Sequence, residues 1–167
     1  RYLLWHVVGG LILFSGIMIQ YSVSGDLSIQ YLPFHGWYPT DLQSVATFLI
    51  LIGFIVNAAV PPLGAWLPDA YSAATVTGAV FMSAFTTKTA VYALIRVCSG
   101  SEILIVLGVV MAIYGVVYAV LENDVRRLLA YHIISQVGYM VTGVGLGTQM
   151  AINGVVAHAF CHILYKS

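Results

Sequence analysis

Four ionisable side chains stand inside segments that are otherwise apolar: Lys88, His158, His162 and Lys166. Lys88 lies in SAFTTKTAVYALIR, with Thr86, Thr87 and Thr89 beside it and Arg96 eight residues further on. At a rise of about 1.5 Å per residue those eight residues span about 12 Å, too deep for the ammonium to reach an interface without effort. A lysine at the centre of a membrane helix costs about 2.5–3.5 kcal/mol on insertion scales, so it is expected to face protein or a water-filled cavity. Burial penalises the charged form, which suits an amine that must give up and regain a proton. In AHAFCHILYKS the spacing of His158, His162 and Lys166 is i, i+4, i+8, one stripe down a helix. A neutral imidazole accepts a proton on one nitrogen and releases one from the other, so the stripe suits a proton relay. The spacing also suits a metal, but there is no glutamate within the motif and no obvious third ligand, so no metal is expected. His6 and His132 fall nearer the ends of their apolar segments.

A further polar feature is the run VNAAVPPLGAW. Pro61 and Pro62 cannot donate to the carbonyls of Asn57 and Ala58, so the helix should open there. Opened backbone is tolerated in a bilayer only where protein or water satisfies it, and transporters place ion sites at such breaks. The alternative is that the prolines simply end a helix at the membrane surface. Asn57 can donate and accept hydrogen bonds but cannot carry a proton as a charge.

The elements that hold these residues follow from composition. Of 167 residues 60% are hydrophobic and 7% charged, with a formal net charge of zero, against roughly a quarter charged in soluble domains. The mean hydropathy is +0.96. A bilayer is the fitting solvent, and neither a basic run nor net charge points to nucleic acid. With about 20 apolar residues needed per crossing, spans are predicted over Tyr2–Tyr21, Leu42–Val60, Thr75–Val97, Ile103–Leu121 and Leu128–Leu146, with a sixth from Ala151. The expected fold is an all-α, multi-pass transmembrane helical bundle, an internal piece of a longer protein with helices missing at both ends. Asp26, Asp41, Asp69, Glu102, Glu122 and Asp124 all fall in predicted loops or at helix ends. Arg1 and the pair Arg126–Arg127 would share one side, and the positive-inside rule makes the Glu122–Arg127 connection cytoplasmic, with Arg96 opposite. Cys98 and Cys161 lie in different apolar segments and read as small buried residues rather than a disulfide framework.

Three stretches, VPPLGAWLPDAYSAATVTGAVFMSAFTTKTAVYALIR, ENDVRRLLAYHIISQVGYM and GVVAHAFCHILYKS, resemble in this order the proton-conducting membrane subunits of respiratory complex I (NADH:quinone oxidoreductase) and of Mrp-type Na+/H+ antiporters. The strings YHIISQVGYM and TTKTAVYALIR lean toward the D-type component of the antiporters. The resemblance implies a fold of about fourteen helices with inverted five-helix repeats, residues 1–167 forming part of one antiporter-like domain. It implies proton or cation/proton translocation without a redox site or cofactor in this chain. Lys88 would match the central lysine on the helix after the WLPDA motif, which here contains Trp66 and Asp69; His158, His162 and Lys166 would match the helix joining the two half-channels. Asp124, Arg126, Arg127 and Tyr131 would have a structural, orienting role. Implied partners are other membrane subunits of an antiporter or respiratory complex, the lipid bilayer, and protons, with sodium as a second candidate ion; the implied location is a bacterial inner (plasma) membrane. Two positions depart from the pattern: Asn57 stands where a lysine is usual, and Gly64 where a histidine is frequent. The glutamate that pairs with that lysine would lie upstream of Arg1. A non-conducting scaffold subunit is the alternative that Asn57 favours, and a bis-histidine haem protein is a more distant one.

Overall fold

The computed structural model describes residues 2–26, 28–29, 31–32, 34 and 38–166. Helices α1 (Tyr2–Ser24), α2 (Leu42–Ala58), α3 (Trp66–Ala73), α4 (Val76–Phe81), α5 (Thr87–Val97), α6 (Glu102–Leu121), α7 (Val125–Leu146) and α8 (Gln149–Lys166) follow in order, and Met82–Thr86 forms a π turn between α4 and α5. All of the regular structure among the described residues is helical. Arg1, one of the arginines that fixes the expected orientation, lies outside them.

Loop contacts show how the chain crosses the bundle. At one end, Leu32 N donates to Val97 O, the Tyr31 hydroxyl donates to Ser99 O, and Gly100 N donates to Val144 O. At the other end, Arg126 reaches the carbonyls of Ser72 and Ala74. Residues 31–32, 98–101 and 147–148 therefore lie at one end, and 74–75 and 122–124 at the other. The chain runs back and forth six times among the described residues, α4, the π turn and α5 counting as one pass. Two segment boundaries are set by side chains. Thr75 accepts from Gly78 N to start α4, and Asp124 accepts from Arg126 N to start α7.

Length and composition alone identify Tyr2–Ser24, Val76–Val97 and Glu102–Leu121 as able to cross a membrane. The other three predicted spans are shorter or more polar. The second stops at Ala58 after 17 residues; α7 carries Arg126, Arg127, His132 and Gln136, and α8 carries two histidines, Asn153 and Lys166. A second difference concerns residues 61–74, expected as a connection, which contain the short helix α3 with Asp69 in its first turn.

Packing explains why α6 and α7 run side by side. A Cβ on Gly138 would stand 2.6 Å from Ala112 N, one on Gly115 2.5 Å from Ser135 N, and one on Gly145 2.7 Å from Ile105 N. The two antiparallel backbones are in direct contact, as small residues permit in membranes. α1 and α2 pair the same way, with Gly9 against Val56, Gly53 against Leu13 and Gly16 against Ile50. The core gathers Leu51, Ile55, Trp66, Leu67, Leu94, Met111, Ile134 and Val141. Outward faces stay apolar: Leu3, Leu4, Phe14, Ile113, Val120 and Phe160 are all exposed. Such a surface suits lipid or further apolar helices rather than water.

Candidate functional site

Lys88 sits in the second position of α5, directly after the π turn, and is 7% exposed. Its Nζ donates to Ser83 O at 2.8 Å and to Thr87 Oγ1 at 3.3 Å. Thr89 likewise reaches back, its hydroxyl standing 2.9 Å from Phe85 O and 3.0 Å from Thr86 O. A π turn leaves main-chain acceptors displaced from the regular α ladder, and here side chains from the following turn engage three of them. The sequence predicts continuous α-helix over Thr75–Val97; the widened turn is a correction, and it supplies the lysine with its acceptor.

α8 lies against the π turn and α7. His162 is fully buried and neither of its ring nitrogens has a hydrogen-bond partner among the described residues. His158 stands one turn away with ring centroids 6.3 Å apart, its Nε2 also buried and unpartnered. The charges of Lys88 and Lys166 both act on His162, and Lys88 acts on His158. The stripe is unevenly buried: His162 faces inward, and His158 and Lys166 are half-buried. His132 of α7 joins this group, interacting electrostatically with His162 and Lys166. Hydropathy places His132 near a span end. The helix starts at Val125 rather than Leu128, which puts His132 two turns inside it. The unpartnered hydroxyls of Ser83 and Ser135 are buried as well. Buried polar groups in proteins are normally bonded, so the open nitrogens of His158 and His162, within electrostatic reach of the amines, mark the site.

The helix break lies elsewhere. Ala59 takes a left-handed conformation (φ 59°), its N–H donating to Val56 O and that of Val60 to Ile55 O, which closes α2 as a Schellman motif without glycine. Pro61 and Pro62 follow, joined by a cis peptide bond. Trp66, buried at the start of α3, donates from Nε1 to Val56 O at 3.0 Å. Asn57 donates to Gly53 O at 3.3 Å and lines a groove with Phe85, Thr86 and Thr89. Lys88 does not line that groove.

The remaining motif residues fasten one end of the bundle. Asp124 caps α7, and Arg126 holds the C-terminal carbonyls of α3, where a cation is favoured by the helix dipole. Arg127 pairs with Glu122 at 3.1 Å and also feels Asp69 of α3. Tyr131 is buried in a stack with Tyr118, centroids 5.5 Å apart.

Comparison with known proteins decides the family. The pattern described as NADH:quinone oxidoreductase/Mrp antiporter, transmembrane, matches residues 1–167. The chain belongs to that family. It is 32% identical over 179 residues to the D component of the Na+/H+ antiporter of Alkalihalophilus pseudofirmus, covering 100% of this chain and 36% of that protein. It is 33% identical to the N component of the NADH-quinone oxidoreductase of Desulforudis audaxviator, covering 99% of this chain and 36% of the relative. The Mrp complex of Dietzia sp. DQ12-45-1b contains a chain that superimposes with a TM-score of 0.88 at 28% identity over 99% of this one and 32% of its own length. The chain thus spans about a third of the length of the relatives it matches, and its helices form part of a larger antiporter-like fold. It is an integral membrane protein of the NADH:quinone oxidoreductase/Mrp antiporter family.

Proposed function

We propose that this chain forms part of a proton-translocating subunit within a multisubunit membrane complex of the Mrp antiporter or complex I type. In this reading protons pass between Lys88 and the His162–His158–Lys166 stripe, with His132 beside it. The observation that carries the reading is a fully buried, unpartnered His162 on α8, packed against the π turn that precedes Lys88 and within electrostatic reach of both Lys88 and Lys166. Lys88 is held by a carbonyl and a hydroxyl, both uncharged, so its ammonium can lose a proton without abandoning an ion pair. No bond other than to hydrogen is made or broken. The driving force comes from an ion gradient or a redox partner in the other subunits. The Glu122–Arg127 connection faces the cytoplasm of a bacterial plasma membrane, following its arginines.

Reconstitution of the whole complex carrying Lys88→Met tests this. The expected outcome is assembly with proton flux lowered at least about tenfold, a modest figure for loss of a proton-transfer group. Unchanged flux in the assembled variant would instead identify a scaffold subunit, the reading that Asn57 supports.

A further inference from the structure

α1 carries a histidine outside the Lys88 cluster. His6 is half-buried, and its Nδ1 lies 3.0 Å from Tyr2 O. A carbonyl oxygen only accepts, so this contact assigns the hydrogen to Nδ1 and leaves a lone pair on Nε2. That Nε2 is buried and has no partner among the described residues. The ring stands 4.2 Å from Tyr2 and edge-on to Trp66 at 4.5 Å, with an interplanar angle of 79°. Trp66 is itself fixed by its bond to Val56 O.

The antiparallel pairing of α1 with α2 gives the depth. Gly16 meets Ile50, Leu13 meets Gly53 and Gly9 meets Val56. One turn further toward the start of α1, His6 falls level with Ala59 and Val60, where α2 has ended and the chain turns through the two prolines. The break thus receives a basic nitrogen from the neighbouring helix, whereas its own polar residue, Asn57, carries no charge. The titratable group in ring contact with His6 is Tyr2 on its own helix, which in turn interacts electrostatically with Tyr71 on α3. Asn57, the nearest polar residue of α2 to the break, lines the groove toward Phe85 and Thr89.

We propose that His6 is a second proton-carrying group, placed at the helix break and separate from the Lys88 cluster. This rests on the proton-translocating reading above. The step is a transfer from hydronium to Nε2, in which an O–H bond breaks and an N–H bond forms, followed by the return of that proton from Nε2 to another water, in which the N–H bond breaks and an O–H bond forms.

The test uses the whole complex in proteoliposomes, with flux normalised to assembled subunit. His6→Phe keeps an aromatic ring against Trp66 and Tyr2 but removes the basic nitrogen; His6→Gln serves in its place if assembly fails. The expected result is flux lowered about tenfold, the scale of a lost proton-transfer group. Adding Asn57→Lys to the impaired variant should restore most of it, since an amine then stands at the break. Full flux with His6→Phe overturns the proposal, as does an impaired variant that Asn57→Lys leaves unrestored. Lys88→Met, measured in parallel, separates the two ideas: loss of flux there beside full flux in His6→Phe removes His6 alone, and full flux in Lys88→Met removes the relay itself.

Discussion

At Lys88 the informative detail is the kind of acceptor. A carbonyl at 2.8 Å and a threonine hydroxyl at 3.3 Å hold the ammonium, and Lys166 repels it. A carboxylate partner would fix the charge; these groups accommodate it and let it go. Lys88→Arg should therefore assemble yet conduct poorly, because guanidinium hardly releases its proton. Lys88→Gln should keep a donor for Ser83 O and so retain stability, again without flux; flux and thermal stability measured on the same preparation separate the two effects. His158 and His162, about 6 Å apart along the axis, should behave as a unit. His158→Ala and His162→Ala should each reduce flux, with the double variant little worse than the poorer single one. If α8 merely packs, the single losses will add and will appear as poorer assembly. Flux per assembled complex in the three variants distinguishes these outcomes.

Among the elements, the contact between α6 and α7 is the most exacting. Replacing Gly138 with valine would drive side-chain atoms into Ala112, whose main-chain nitrogen leaves 2.6 Å for even a Cβ. Overpacking of a tight core costs about 1–3 kcal/mol, more where backbone must separate, so Gly138→Val should lower the yield of assembled subunit and its melting temperature. Hydrophobic length makes the crossings legible in the sequence, and the i, i+4 spacing places His158 and His162 on one helix. What stays hidden has physical causes. No residue type between Met82 and Thr86 announces the π turn, because it differs from α-helix in hydrogen-bond register rather than in composition. His132 is obscured when hydropathy alone starts the span at Leu128, although Asp124 is the residue that caps α7. The proline pair does mark the end of α2, but the left-handed turn falls on Ala59, a residue type that gives no hint of a positive φ. Trp66 likewise stands in a helix that eight residues could not declare by periodicity.

For the whole molecule, the grouping of the loops at two ends fixes which positions share a side. Asn123 and Thr148 are exposed in connections at opposite ends. In a Cys161→Ser background, with Cys98 buried, a membrane-impermeant thiol reagent should label Asn123→Cys from the cytoplasm and Thr148→Cys from the other side. The reverse pattern would invert the orientation, and labelling of both from one side would contradict the six passes. The chain matches its relatives throughout its length yet covers about a third of theirs. Its exposed apolar faces on α1, α6 and α8 are therefore available both to lipid and to further helices.

The π turn has one more implication, for insertions and deletions. Five residues there take up a stretch that an α-helix would close with one fewer, so α4 and α5 keep their phases around the axis despite the surplus residue. Deleting Ala84 would let the ladder re-form while Val76–Phe81 and Lys88–Val97 still present the same sides to their neighbours. The lysine would stay where it is and lose only the displaced carbonyl beneath it. A sequence shorter by one residue at this point would thus retain the bundle, and chain length here reports on the amine's acceptor rather than on the architecture.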